Sequence, residues 1–180
     1  MKKICIDARF WGVTHTGIGR YVENLIANLP QDTDTQVILI INPNQLHEPK
    51  LAGYEKHVAR AHPYSAWSQI EMLLLLIRIR PDLLHVPHFT IPLLWPGKMV
   101  VTIHDLIKHF SRGQETTTHN PLLYWVKYLG YLVVVKLAVM RASHIITPAQ
   151  YWKDILVAKY HLRPTKESVI YEGVGSIFSE

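Results

Sequence analysis

Three short segments of this 180-residue chain hold side chains that could handle a hydroxylated or phosphorylated ligand. The first is Gly17-Ile18-Gly19-Arg20-Tyr21, preceded by Asp7-Ala8-Arg9 and by Thr14-His15-Thr16 in the intervening stretch. Glycines at a helix start let backbone come close to a ligand, and the unpaired N–H groups and dipole of that helix end favour a phosphate. The second is His85-Val86-Pro87-His88-Phe89, and the third is Thr102-Ile103-His104-Asp105-Leu106. A histidine beside a carboxylate can be held in one tautomer and can hydrogen-bond a sugar hydroxyl or a phosphate. Each segment taken singly also has a purely structural reading: glycines that turn the chain, histidines that cap strand ends.

Other chemistries fit less well. A dinucleotide fingerprint needs a third glycine three residues after Gly19, and Val22 stands there. His85 with His88, or His104 with Asp105 and His109, offers metal donors, but there are no paired cysteines and no His-Glu-x-x-His helix, so no metal is expected. A serine hydrolase would need a Gly-x-Ser-x-Gly elbow, which does not occur, and Cys5 lies inside an apolar run.

The elements that must position these segments alternate short apolar β-type runs with helical patterns, the mark of a parallel sheet covered by helices. Strands are expected over 4–7, 36–41, 57–60, 83–86, 99–103, 144–147 and 169–171. Several are apolar on both faces, as doubly covered strands should be. Helices are expected over 20–29, stopped by Pro30, and over 67–79, capped by Ser65 and closed by Arg80-Pro81. Asn120-Pro121 and Thr147-Pro148 read as cap and first-turn pairs for two more. The helix after Pro121 carries a stripe of Leu122, Val126, Leu129, Val133, Leu137 and Met140, most of which is expected to pack in the core. The class is α/β, and in open sheets of this kind ligands sit beyond the carboxyl ends of the strands, where all three segments fall.

Apolar residues make up 48% of the chain and charged residues 18%, enough for a core and too few charges for a disordered tail. A single cysteine, Cys5, makes no internal disulfide and reads as the buried thiol of a reducing compartment, so a cytoplasmic location is expected. The longest uncharged apolar runs, 72–77 and 128–135, fall far short of the roughly 20 residues of a membrane span. Net charge is +5 and lopsided: residues 120–166 hold seven basic side chains against only Asp154. No nucleic-acid signature accompanies that charge, so nucleic acid is not an expected partner. Anionic lipid is the subsidiary expectation, with peripheral contact at the inner face of the cell membrane.

Taken together, six motifs resemble the amino-terminal half of group 1, mannosyltransferase-like glycosyltransferases. They are Asp7-Ala8-Arg9, Thr16-Gly17-Ile18-Gly19-Arg20-Tyr21, His88-Phe89, Thr102-Ile103-His104-Asp105-Leu106, Ile145-Ile146-Thr147-Pro148 and Val169-Ile170-Tyr171-Glu172-Gly173-Val174, in family order and spacing over essentially the whole chain. The resemblance implies a single Rossmann-like domain over 1–172, with a mostly parallel sheet of about seven strands and helices on both faces. Residues 173–180 would begin the connection to a second, donor-binding domain of a GT-B fold. It further implies a retaining hexosyltransferase that needs no metal or cofactor and uses a nucleotide sugar, GDP-mannose favoured.

Carried over by position, Gly17 and Gly19 would lie against the donor diphosphate or sugar, with Ile18, Arg20, His88 and Phe89 also binding substrate. His104 would reach toward the transferred sugar, with Asp105 orienting that loop or histidine; these two are the expected catalytic pair. Two departures stand out: Pro148-Ala149 where the family commonly has Pro-Ser, and Gly173-Val174-Gly175 where it has Gly-Val-Asp. Nothing here supplies the family's donor domain, so the chain by itself is expected to be inactive, needing that domain in cis or in trans. Its acceptor would be a glycan or a lipid-linked sugar. The alternative is a non-catalytic module that docks to a separate donor domain or to a carbohydrate or membrane surface.

Overall fold

In the computed structural model the described residues are 1–12, 16–30, 33–107 and 121–173. The expected Asn120 cap, His109 and residues 174–180 lie outside them.

Seven strands form one parallel sheet: β1 (Lys2–Asp7), β2 (Thr35–Ile41), β3 (Glu55–Val58), β4 (Leu83–Val86), β5 (Met99–Thr102), β6 (His144–Thr147) and β7 (Glu167–Val169). Their order is β3-β2-β1-β4-β5-β6-β7. The chain therefore winds outward in one direction from β1 and then in the other from β4, which makes the β1/β4 boundary a topological switch point. All seven expected strands form, with β3 and β7 displaced two residues toward the amino terminus.

Helices α1 (Thr16–Ala27), α2 (Ala66–Ile79), α3 (Pro121–Arg141) and α4 (Gln150–Tyr160) cover both faces. Val22 and Ile26 of α1 pack on Ile6, Leu39 and Ile41 on one side. On the other, Met72, Leu76 and Ile79 of α2, Val135, Ala138 and Val139 of α3 and Leu156 of α4 share a core with Cys5, Ile38, Leu84, Val101 and Ile145. Alternate strand residues thus feed two cores, which is why these strands read as apolar throughout.

Local chemistry sets the helix ends. Ser65 caps α2, its hydroxyl accepting from the Ser68 N–H at 3.1 Å. Arg80 ends α2 in the left-handed region at φ 53°, its N–H donating to the Leu76 carbonyl, and Pro81 cannot continue the helix. Helix α1 spans Thr16–Ala27, beginning four residues before and ending two residues before the expected 20–29. Thr147-Pro148 does not open α4: Thr147 completes β6, and the cap position falls to Ala149, which has no side chain to bond.

The expectation for the α3 stripe is corrected. Val126, Leu129, Val133 and Met140 are exposed, and the sheet is met instead by Val135, Ala138, Val139 and Ala142. Helix α3 is apolar nearly all round, so periodicity does not single out a face. Small and β-branched side chains let it approach the strands closely, which decides the rotation in space.

Candidate functional site

The loop leaving β1 is built around a buried ion pair. Arg9 Nε donates to Asp7 Oδ1 at 2.8 Å and an Arg9 terminal nitrogen donates to Asp7 Oδ2 at 2.7 Å, both residues being 1% exposed. The other terminal nitrogen reaches the Ser68 hydroxyl on α2 at 2.7 Å. Burial works against the guanidinium charge, but the carboxylates of Asp7 and Glu71 outweigh it and raise the Arg9 pKa. The same loop is tied to the one after β2, Asn42 Nδ2 donating to the Arg9 carbonyl at 2.6 Å and Gln45 Nε2 to that of Trp11 at 2.9 Å.

Against this rigid loop packs the start of α1. A Cβ on Gly19 would lie 1.8 Å from the Gly12 carbonyl oxygen and 3.0 Å from that of Phe10, so only glycine fits there. The close approach that Gly19 permits is to the protein's own backbone. Gly17 is different: no described residue lies within 4 Å of its missing Cβ. Arg20 is exposed.

A pocket of about 220 Å³ opens at the switch point, lined by Ile18, Tyr64, His88, Phe89, His104 and Asp105, with Thr102 and Tyr131 behind them. The helix start, the end of β4 and the end of β5 therefore meet on one rim. His104 is held from three directions. Its Nε2 donates to the Pro87 carbonyl at 3.1 Å, its Nδ1 lies 2.9 Å from Glu172 Oε1, and the Tyr21 ring meets it edge-on at 4.7 Å between centroids. Among the described residues the Asp105 carboxylate makes no hydrogen bond to His104; Asp105 Oδ1 accepts from the Ile107 N–H at 3.0 Å and so shapes its own loop. The carboxylate on His104 comes from the strand exit 68 residues away, a pairing that no local spacing announces.

Beneath the pocket floor, Thr102 Oγ1 joins Tyr21 Oη at 3.2 Å to His85 Nε2 at 3.0 Å. Burial, with the nearby His104, lowers the His85 pKa to about 4, so that ring is neutral at physiological pH. Burial also raises the Tyr21 phenol, with Glu172 adding to the effect. These two groups are structural donors and acceptors at neutral pH rather than charges. His88 is buried, its Nδ1 accepting from the Thr90 N–H at 3.3 Å, with its ring centroid 3.9 Å from that of Phe89 and 5.0 Å from that of Phe10, both pairs tilted. The result is an aromatic wall facing an imidazole, suited to a ring with apolar C–H faces and polar edges. No group of three or more metal-donor side chains occurs among the described residues.

The sequence profile of Glycosyltransferase Family 4 matches residues 15–175, and the chain belongs to that family. Its fold is the Rossmann-like fold of solved GT-B glycosyltransferases. One is the lipopolysaccharide outer core galactosyltransferase WaaB in its apo form, at TM-score 0.57 and 11% identity, covering 97% of this chain and 46% of that one. Another is a glycosyltransferase from Rickettsia africae, at TM-score 0.56 and 11% identity, covering 96% and 43%. The chain spans less than half the length of these structures. No curated protein matches it in sequence.

Proposed function

We propose that this chain is the acceptor-side domain of a retaining, two-domain glycosyltransferase. It moves a hexose, mannose favoured, from a nucleotide sugar such as GDP-mannose to a glycan or lipid-linked acceptor, in the cytoplasm, and is inactive without a donor domain. The observation that carries the reading is the convergence of Ile18, His88, Phe89 and His104 on one pocket at the β1/β4 switch point.

The chemistry follows from what each group can offer. Exposed amides at the start of α1, beside Gly17, face the donor diphosphate. A sugar hydroxyl reaches His104 at Nδ1 by displacing Glu172, because the Pro87 carbonyl at Nε2 belongs to fixed backbone while Glu172 is 47% exposed. Rate enhancement comes from positioning and from stabilising the departing diphosphate, the latter mostly by the donor domain. The test is transfer from radiolabelled GDP-mannose and other nucleotide hexoses to lipid-linked and soluble glycans, with and without a co-expressed donor domain. Transfer only with the donor domain fits the proposal; turnover by the 180-residue chain alone refutes the division of labour.

Peripheral membrane contact belongs to the same reading. No helix among the described residues is long and apolar enough to cross a membrane. Helix α3, however, exposes Trp125, Val126, Leu129, Val133 and Met140 beside Lys127, Lys136 and Arg141. Apolar side chains flanked by cations suit the surface of an anionic bilayer, where a lipid-linked acceptor would reside.

A further inference from the structure

A second cavity, about 330 Å³, lies at the carboxyl ends of β1, β2 and β3, and Tyr64 is the wall it shares with the pocket holding His104. Arg60, His62 and Asn44 line it, with Phe10 and Tyr64 forming its aromatic side and no carboxylate among its described lining residues. The Arg60 and Ala61 N–H groups donate to Glu71 Oε1 at 2.8 Å and Oε2 at 2.7 Å, so both oxygens of that acid are spent on fixing the backbone of this loop. The Arg60 guanidinium itself has no hydrogen-bond or ion-pair partner among the described residues. His62 Nδ1 accepts from the Tyr64 N–H at 3.3 Å, which leaves the ring proton on Nε2 as a donor without a partner among the described residues. Tyr64 is 58% exposed yet fixed by edge contacts to Phe10 at 5.9 Å and His88 at 5.8 Å.

We propose that this second cavity holds the acceptor, and that the acceptor is an anionic sugar, bearing a carboxylate or a phosphate. The assignment rests on the transferase reading for the word acceptor alone. Arg60 presents a planar fork matched to a carboxylate or phosphate, with the His62 donor beside it. The exposed Tyr64 ring packs the C–H face of the sugar, and Asn44 meets its hydroxyls. Because Tyr64 borders both cavities, a sugar held here stands next to whatever His104 holds.

Titration of the 180-residue chain, followed by backbone amide resonances, decides the matter with four probes: glucuronic acid, glucose 6-phosphate, glucose and inorganic phosphate. The expected result is that the two charged hexoses shift residues 42–44 and 60–64 with Kd values at least tenfold below that of glucose. Arg60→Gln erases that preference and Arg60→Lys restores part of it, while Tyr64→Ala weakens charged and neutral hexoses alike. Arg60 is exposed, so its variants are expected to melt with the parent. Equal binding of glucose, shifts confined to other residues or absent altogether, or inorganic phosphate binding as tightly as glucose 6-phosphate would each overturn the assignment. Comparing the charged hexoses with each other distinguishes a uronate from a phosphate acceptor. If these sugars bind here but no complete enzyme glycosylates them, the transferase reading fails and the anion site stands. If transfer proceeds to neutral acceptors and ignores Arg60→Gln, the anion site fails and the transferase reading stands.

Discussion

Glu172 and Glu167 sit five residues apart on one strand and its exit, yet one meets solvent and the other does not. Glu172 forms a part-exposed pair with His104, the kind of contact that contributes at most about 1 kcal/mol to stability. Glu172→Ala is therefore expected to leave the melting temperature nearly unchanged and, because it frees Nδ1, to bind nucleotide sugar at least as well as the parent chain. His104→Ala should weaken the same titration about tenfold, or about 1.4 kcal/mol. Equal losses in both variants would mean that Glu172 itself holds the sugar. Glu167 is 3% exposed, with the Thr147 hydroxyl beside it. Burial raises its pKa to about 7, with the Thr147 hydroxyl and Lys153 opposing and Asp154 reinforcing the shift. Since the folded-state pKa exceeds the unfolded value, the native fold binds the extra proton. The penalty for ionising Glu167 is absent below about pH 4.3, grows as pH rises and is complete above about 7. Glu167→Gln should accordingly stabilise the chain at pH 8 by on the order of 3 kcal/mol and change little at pH 4.5, as read by urea unfolding at the two pH values.

Element packing turns the two glycines of the α1 start into different residues. Gly19→Ala must push the Gly12 carbonyl aside and is expected to destabilise by about 1–3 kcal/mol or more, since the obstacle is backbone. Gly17→Ala meets none of the described residues and replaces a poor helix former, so a gain of up to about 1 kcal/mol is expected in the same chemical melts. If Gly17 does approach the diphosphate, that stabilised variant will still bind nucleotide sugar less well. The Asp7–Arg9 pair fixes the loop that Gly19 touches and, through Ser68, ties it to α2. Arg9→Met strands a buried carboxylate and should cost about 3–5 kcal/mol in urea unfolding, whereas Asp7→Asn combined with Arg9→Met should recover much of that loss.

At the scale of the whole molecule, α2 and α3 pack on the same face of the sheet and present apolar side chains outward: Trp67, Ile70, Leu74 and Ile77 on α2, and Trp125, Val126, Leu129 and Val133 on α3. Arg78 and Arg80 accompany the first group, Lys127 and Lys136 the second. Co-sedimentation with vesicles containing anionic lipid should fall steeply between low and high salt, and Lys127→Glu with Lys136→Glu should abolish it. Indifference to lipid charge would remove membrane contact from the proposal.

The chain's letters alone determined the sheet-and-helix alternation, the seven strands to within two residues and the caps at Ser65 and Arg80, because these depend on side chains a few positions apart. They also singled out Gly17, Gly19, His88 and His104 as candidates, since strand ends and helix starts are local features, and of these His88 and His104 line the pocket at the switch point. Tertiary structure alone decided which carboxylate meets His104, which of the two glycines touches backbone, and which side of an all-apolar helix faces water. Each of those outcomes turns on groups brought together from distant stretches by strand order and close packing, and no short-range periodicity carries that information.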